Sequence, residues 1–149
     1  MMADIKRAAF MLAAATVGAV SLPVAAQSPE TGALAEGRAL YQTHCASCHG
    51  KNLEGQPEWQ IRRPDGRLPA PPHDRTGHTW HHPDDHLFRM TKYGLVPPLA
   101  PEGYKSDMPA FGGVLSDDEI RSVLDFIKST WPERFRTRQQ DVTRRAGGQ

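Results

Sequence analysis

The chain has few cysteines, almost no net charge and no long hydrophobic run, and each shortage excludes a class of protein. Two cysteines in 149 residues cannot build a disulfide-rich domain or a zinc site with four thiolates. The formal net charge is +1, with 18 basic and 17 acidic residues. Because nucleic acid attracts a strongly basic surface, this balance predicts no nucleic-acid partner.

The longest apolar run covers residues 8–22, which is shorter than the ~20 residues that a membrane-spanning helix needs. Lys6 and Arg7 precede the run, and Val24-Ala25-Ala26 follows it with small residues that suit a cleavage site. These features predict a signal peptide over residues 1–26 and export to the periplasm. An uncleaved N-terminal anchor is the alternative. The rest of the chain is near neutral, and no strong membrane association is expected of it.

The two cysteines stand in the sequence Cys45-Ala46-Ser47-Cys48-His49. C-x-x-C-H is the attachment pattern of a c-type haem. Two thiols three positions apart can bond to the two vinyl groups of one porphyrin, and the histidine that follows is then held beneath the iron. The motif predicts one covalently bound haem c, with His49 as an axial ligand.

The cysteine pair has two other interpretations. A zinc site needs further cysteine or histidine ligands at suitable spacing, and a thioredoxin-like pair needs neighbouring strands in a βαβ pattern. The chain has no other cysteine and no such strand pattern. Both interpretations also leave His49 without a role.

A second axial ligand for the iron is often a methionine. Only Met90 and Met108 follow the predicted signal peptide. Met108 is the favoured candidate because its segment is flanked by proline and glycine and can bring a thioether to the iron. Met90 falls in a predicted helix, where methionine commonly fills a core. His81 or His82 is a further alternative.

The segment between residues 50 and 82 is rich in glycine and proline, and its apolar residues show no sustained helical or strand-like spacing. A loop this long is expected to wrap something, and residues 68–72 form a stiff apolar strip that suits a haem edge. A proline carbonyl in the strip could accept the Nδ1 proton of His49. Trp80 or a nearby histidine could donate to a haem propionate. A copper or zinc site is a weaker interpretation of the five histidines between residues 73 and 86.

Helical patterns are expected on both sides of the loops. The first runs from about Glu30 to Thr43, and a short one runs from about Pro83 to Tyr93. The last begins at a capping box, Ser116 to Glu119, and carries an apolar stripe that ends before Pro132. The predicted domain covers residues 27–131, and the basic tail at residues 132–149 is expected to be disordered.

Residues 37–50, 107–111 and 115–128 have the residue order of a haem-attachment helix, a methionine-ligand loop and a C-terminal helix. Together they resemble the small monohaem, His/Met-ligated class I cytochrome c family, over about residues 34–131. The resemblance implies an all-α cytochrome c fold whose N- and C-terminal helices cross, with Gly37 meeting Phe126. Pro/Gly-rich loops would wrap the covalent haem.

The resemblance also implies a function. We expect a periplasmic electron-transfer protein in which Cys45 and Cys48 hold the haem, and His49 and Met108 bind its iron. Its partners would be a protein electron donor and a protein electron acceptor. We expect no independent enzyme activity, because no acid–base pair or nucleophile stands apart from the haem motif. The alternatives are an oxidoreductase subunit, an enzyme or sensor with an open sixth position, or a subunit with added copper.

Overall fold

The computed structural model describes residues 29–147, so the predicted signal peptide at residues 1–26 lies outside the described part. Within it the secondary structure is helical and contains no strand, which confirms the all-α prediction. A 3-10 turn at Thr79–His81 precedes the third helix. The α-helices are α1 (Pro29–His44), α2 (Ala46–His49), α3 (Asp84–Tyr93), α4 (Asp117–Ser129) and α5 (Glu133–Gly147).

Helix α1 packs closely against α4, and Gly37 lies at the contact. A Cβ atom added to Gly37 would lie 2.0 Å from the carbonyl oxygen of Ser122 and 3.0 Å from the Cβ atom of Phe126. Only a glycine allows the two backbones to approach this closely. The predicted contact between Gly37 and Phe126 is therefore confirmed.

Helix α4 begins at the predicted capping box. The backbone N–H of Glu119 donates to Ser116 Oγ, and the backbone N–H of Ser116 donates to Glu119 Oε2 at 2.8 Å. These bonds satisfy two groups that a helix end otherwise leaves unpaired. The apolar stripe of the helix is buried, as its spacing predicts: Ile120, Val123, Leu124, Phe126 and Ile127.

The buried residues form two clusters, and both include residues of α4. The first cluster also contains Ala46 of the C-x-x-C-H motif and Tyr41 just before it, together with Leu53 and Trp131. The second is built on Leu87, Phe111, Leu115, Ile120 and Leu124. Leu40 packs against both clusters. Cys45 thus packs against the first cluster, whereas Met108 packs against the second.

The prediction of a disordered tail at residues 132–149 is wrong for residues 133–147, which form α5. Phe135 packs edge-on against Trp80, with ring centroids 4.7 Å apart. Gln139 is 2% exposed, and its Nε2 donates to the His82 carbonyl at 3.3 Å and to Asp84 Oδ1 at 2.8 Å. Phe135 and Gln139 stand four positions apart, so they share a helix face. The sequence prediction missed this packed face because the segment is rich in basic residues.

Candidate haem site

The C-x-x-C-H motif consists of Cys45, which links α1 to α2, and the whole of α2. The backbone N–H of Cys45 donates to the Tyr41 carbonyl at 2.9 Å, and that of His49 donates to the Cys45 carbonyl at 2.9 Å. The buried Tyr41 hydroxyl donates to the Gly50 carbonyl at 2.9 Å. These bonds fix both ends of the motif against the first core cluster.

The two thiols are available for covalent attachment. Cys45 and Cys48 are free cysteines, with Cys45 partly buried and Cys48 exposed. Burial, with a smaller contribution from the neighbouring Cys48, raises the pKa of Cys45 to about 11. A buried thiol of raised pKa is poorly suited to thiolate chemistry. Cys45 is therefore a weak nucleophile in this setting.

His49 is 8% exposed, and its ring is oriented by the loop that follows. Its Nδ1 lies 2.8 Å from the Pro71 carbonyl oxygen, as predicted. Since a carbonyl only accepts, Nδ1 must carry the proton, and Nε2 keeps the lone pair that binds a metal. Burial lowers the pKa of His49, although the bond to Pro71 partly opposes this effect. The neutral ring is the form that can ligate iron.

Close backbone packing positions the Pro71 carbonyl. Gly55 has a φ of +68°, and a Cβ atom there would lie 2.4 Å from the Pro72 nitrogen. The backbone N–H of Gly55 donates to the His49 carbonyl at 2.8 Å, and that of His73 donates to the Leu53 carbonyl at 2.8 Å. The two ends of the loop between Gly55 and His73 are therefore held beside His49.

His73 supports the ring of His49, and sequence reasoning did not assign it this role. The two rings are stacked with centroids 4.0 Å apart. His73 Nδ1 lies 2.8 Å from Thr79 Oγ1, and its carbonyl accepts the Trp131 indole N–H at 2.7 Å. Desolvation lowers the pKa of His73 well below its usual value, with smaller effects from His49 and His78. A neutral imidazole therefore packs against the proposed ligand.

Both candidate methionines contact the second core cluster. Met90 belongs to α3, and its carbonyl accepts the N–H of Gly94 at the helix end. Met108 is half-buried in a segment without regular secondary structure, and its N–H donates to Ser106 Oγ at 3.0 Å. Met108 thus has a thioether on a loop next to the core, whereas Met90 is part of a helix.

The residue before Met108 takes part in a network that sequence reasoning missed. Asp107 Oδ2 lies 3.2 Å from Arg63 Nη1, and Asp107 Oδ1 lies 2.8 Å from Arg67 Nε. Lys105 Nζ donates to the Asp65 carbonyl at 3.2 Å. The only sign of this network in the sequence is the presence of charged residues at 63–67 and 105–107. The paired residues are about forty positions apart, so no local pattern links them.

The histidine-rich segment forms ring contacts instead of a convergent ligand set. The rings of His82 and His86 are stacked at 5.0 Å, and His78 stacks on Trp59 at 5.2 Å. Across residues 29–147, no group of three or more His, Cys, Asp or Glu side chains could hold a metal ion. The Trp80 indole N–H donates to the Gly77 carbonyl at 3.1 Å, so the structure gives it a partner other than a propionate.

The helical fold, the free cysteine pair and the oriented imidazole together define a monohaem c-type cytochrome domain, with one haem c covalently bound through Cys45 and Cys48. The family model described as cytochrome c oxidase, cbb3-type, subunit III matches residues 32–127. The chain belongs to this family. No curated protein and no solved structure matched it.

Proposed function

We propose that this protein is an exported carrier of single electrons, with His49 and Met108 as the axial ligands of its haem iron. The observation that carries the proposal is the bond between His49 Nδ1 and the Pro71 carbonyl, because it leaves Nε2 free on a buried, oriented ring. The haem would supply the one-electron chemistry. The chain would attach the haem, hold the two ligands and exclude water from the iron.

Met108 is proposed as the sixth ligand on the basis of its setting. A thioether ligand raises the reduction potential of a haem and occupies the position at which small molecules would bind. Met108 stands on a loop and packs against the second cluster. Because protein ligands on both sides of the iron change little between the two oxidation states, this arrangement suits electron transfer.

The proposed site of action is the periplasm, where a protein donor and a protein acceptor would exchange electrons with the haem. The predicted signal at residues 1–26 supports this location. Among residues 29–147, no helix is both long and apolar enough to cross a membrane. The family description also favours a related role, in which the domain passes electrons as a subunit of a larger oxidoreductase.

Replacing each methionine by leucine tests the ligand assignment while conserving side-chain volume. We expect Met108→Leu to lose the weak ferric sulfur-to-iron absorption band, lower the midpoint potential and bind carbon monoxide when ferrous. Met90→Leu is the matched control, because it removes the same thioether from the same cluster. An unchanged potential in Met108→Leu, or the expected changes in Met90→Leu, would show that Met108 is not the ligand.

The unaltered protein separates electron transfer from the open-site alternative. Carbon monoxide should bind the ferrous protein slowly or not at all if Met108 occupies the sixth position. Rapid binding would instead favour an enzyme or sensor. For the copper alternative, copper titration of the haem-loaded protein should show no stoichiometric site, and binding that His78→Ala with His81→Ala abolishes would contradict this expectation.

A further inference from the structure

A chain of hydrogen bonds and ion pairs connects the segment that orients His49 with the segment that carries Met108. It begins at Ala70, whose neighbour Pro71 provides the carbonyl that binds His49. The Ala70 N–H donates to Gln56 Oε1 at 3.1 Å, and the Gln56 N–H donates to the Ala70 carbonyl at 2.9 Å. Gln56 therefore binds Ala70 through both its own backbone and its own side chain.

Arg63 continues the chain toward Met108. Its Nη2 donates to the same Gln56 Oε1 at 2.9 Å, while its Nη1 donates to Asp107 Oδ2 at 3.2 Å. One planar guanidinium thus bridges Gln56 and the residue next to Met108. A lysine has a single ammonium group and lacks the fixed fork that can serve both acceptors.

A second arginine lies beside the Asp107 carboxylate, and its Nη1 also pairs with Asp65 Oδ2 at 3.2 Å. Arg67 Nε lies 2.8 Å from Asp107 Oδ1, so each carboxylate oxygen faces one guanidinium. The Arg63 and Asp107 side chains are 42% and 54% exposed, and an isolated pair at such exposure contributes little. Two cations on one carboxylate form a network, which is the setting in which exposed charges do contribute.

We propose that Gln56, Arg63 and Asp107 are positioning residues that keep Met108 in register with His49. This inference rests on the proposed His49 and Met108 ligation. The residues would act through the backbone of the two ligand segments, without touching the iron. Their loss should raise the fraction of molecules in which the sixth position is open, and leave the attachment through Cys45 and Cys48 intact.

The test measures the carbon monoxide association rate of the ferrous haem protein, together with its midpoint potential. Asp107→Asn keeps the side-chain shape and removes both ion pairs. Since each exposed pair contributes up to ~1 kcal/mol, or roughly five-fold, we expect the association rate to rise by up to about five-fold for each pair lost, together with a lower potential. Gln56→Ala should act in the same direction, because it breaks the bridge at its other end.

Arg63→Lys tests the bridge itself. It retains the positive charge, and we expect carbon monoxide to bind faster than in the wild type but less fast than in Asp107→Asn, because Arg67 still pairs with Asp107. Wild-type behaviour of Arg63→Lys would show that charge alone suffices and would overturn the bridging role. Arg89→Gln is the matched control, because Arg89 pairs with Asp85 inside α3, and its association rate should stay at the wild-type value.

Two further variants separate the possible failures. Gln139→Ala weakens the attachment of α5 without touching either ligand segment, so a rise in association rate there equal to that of Asp107→Asn would reduce the effect to general destabilisation. Met108→Leu is the reference for an open site. If Met108→Leu opens the iron and Asp107→Asn does not, the positioning role is wrong. If Met108→Leu itself changes nothing, the ligand proposal fails first.

Discussion

Replacing Gly37 by alanine adds one methyl group where α1 meets α4. The new Cβ atom would lie 2.0 Å from the Ser122 carbonyl oxygen and 2.6 Å from its carbonyl carbon. Both atoms belong to the backbone of α4, so they cannot rotate away as a flexible side chain would. Ordinary contacts begin near 3.4 Å, and the helices must therefore move apart by more than an ångström.

The size of the effect follows from two opposing contributions. Overpacking a close contact costs about 1–3 kcal/mol and sometimes more, and a clash with backbone belongs at the upper end. Alanine regains about 1 kcal/mol of helix propensity relative to glycine. We therefore expect a net loss of roughly 2 kcal/mol in the free energy of unfolding. For a domain of this size the Tm should fall by about 8 °C.

Gly32→Ala is the matched control in the same helix. A Cβ atom at Gly32 would meet nothing within 4 Å, so only the gain in propensity remains. We expect this variant to be more stable than the wild type by up to about 1 kcal/mol. Urea unfolding of the haem-loaded proteins, followed by far-ultraviolet circular dichroism, gives both values. Gly37→Ala as stable as Gly32→Ala would refute the close approach of the helices.

Two further predictions concern the C-terminal part of the chain. Gln139→Ala should cost about 1–3 kcal/mol in urea unfolding, because it removes the donor to the His82 carbonyl and one of the two donors to Asp84 Oδ1, which keeps Lys128. The exposed Gln140→Ala should change stability by less than ~0.5 kcal/mol, and equal effects of the two would contradict the described docking of α5. Burial, aided by His86, His78 and His81, lowers the pKa of His82 to about 4. The unfolded state then binds more protons between pH ~6.5 and ~4, so this stabilisation is complete above pH ~6.5 and is lost as the pH falls through the window. Solvent screening of the half-buried ring limits this loss of unfolding free energy to on the order of 1–2 kcal/mol. The unfolding free energy of His82→Gln should decrease less than that of the wild type over the same pH window. An equal decrease in the variant and the wild type would contradict the lowered pKa of His82.

Local sequence signals predicted the parts of the structure that depend on neighbouring residues. The capping box fixed the start of α4 because its two bonds join residues three positions apart. The apolar stripe placed the helix against the core, and Gly37 indicated the close contact. An acceptor among the proline carbonyls of residues 68–72 was also predictable, since ligating histidines usually donate their other ring proton to a nearby acceptor; which proline provides it was not.

Long-range contacts between segments that lack a helical or strand-like pattern of apolar residues were not predictable in this way. Arg63 and Asp107 are 44 positions apart, and neither lies in a helix whose spacing could indicate a partner. The stacking of His73 on His49 likewise depends on how the loop returns. In α5, five arginines dominated the composition and obscured Phe135 and Gln139, which carry the packing. Net charge describes solvation, and it does not reveal which side chains have a place to be buried.

The position of Trp131 bears on where this domain can be cut. The family match ends at residue 127, inside α4, whereas the 2% exposed Trp131 lies beyond it and bonds the His73 carbonyl. A recombinant segment ending at residue 127 would omit the Trp131 indole, which donates to the carbonyl of His73, the residue whose ring stacks on His49. The residues that pack around the site thus extend beyond the residues that the family model matches. Any transplant of this haem module should extend at least through Trp131, and through α5 if Trp80 is to stay covered.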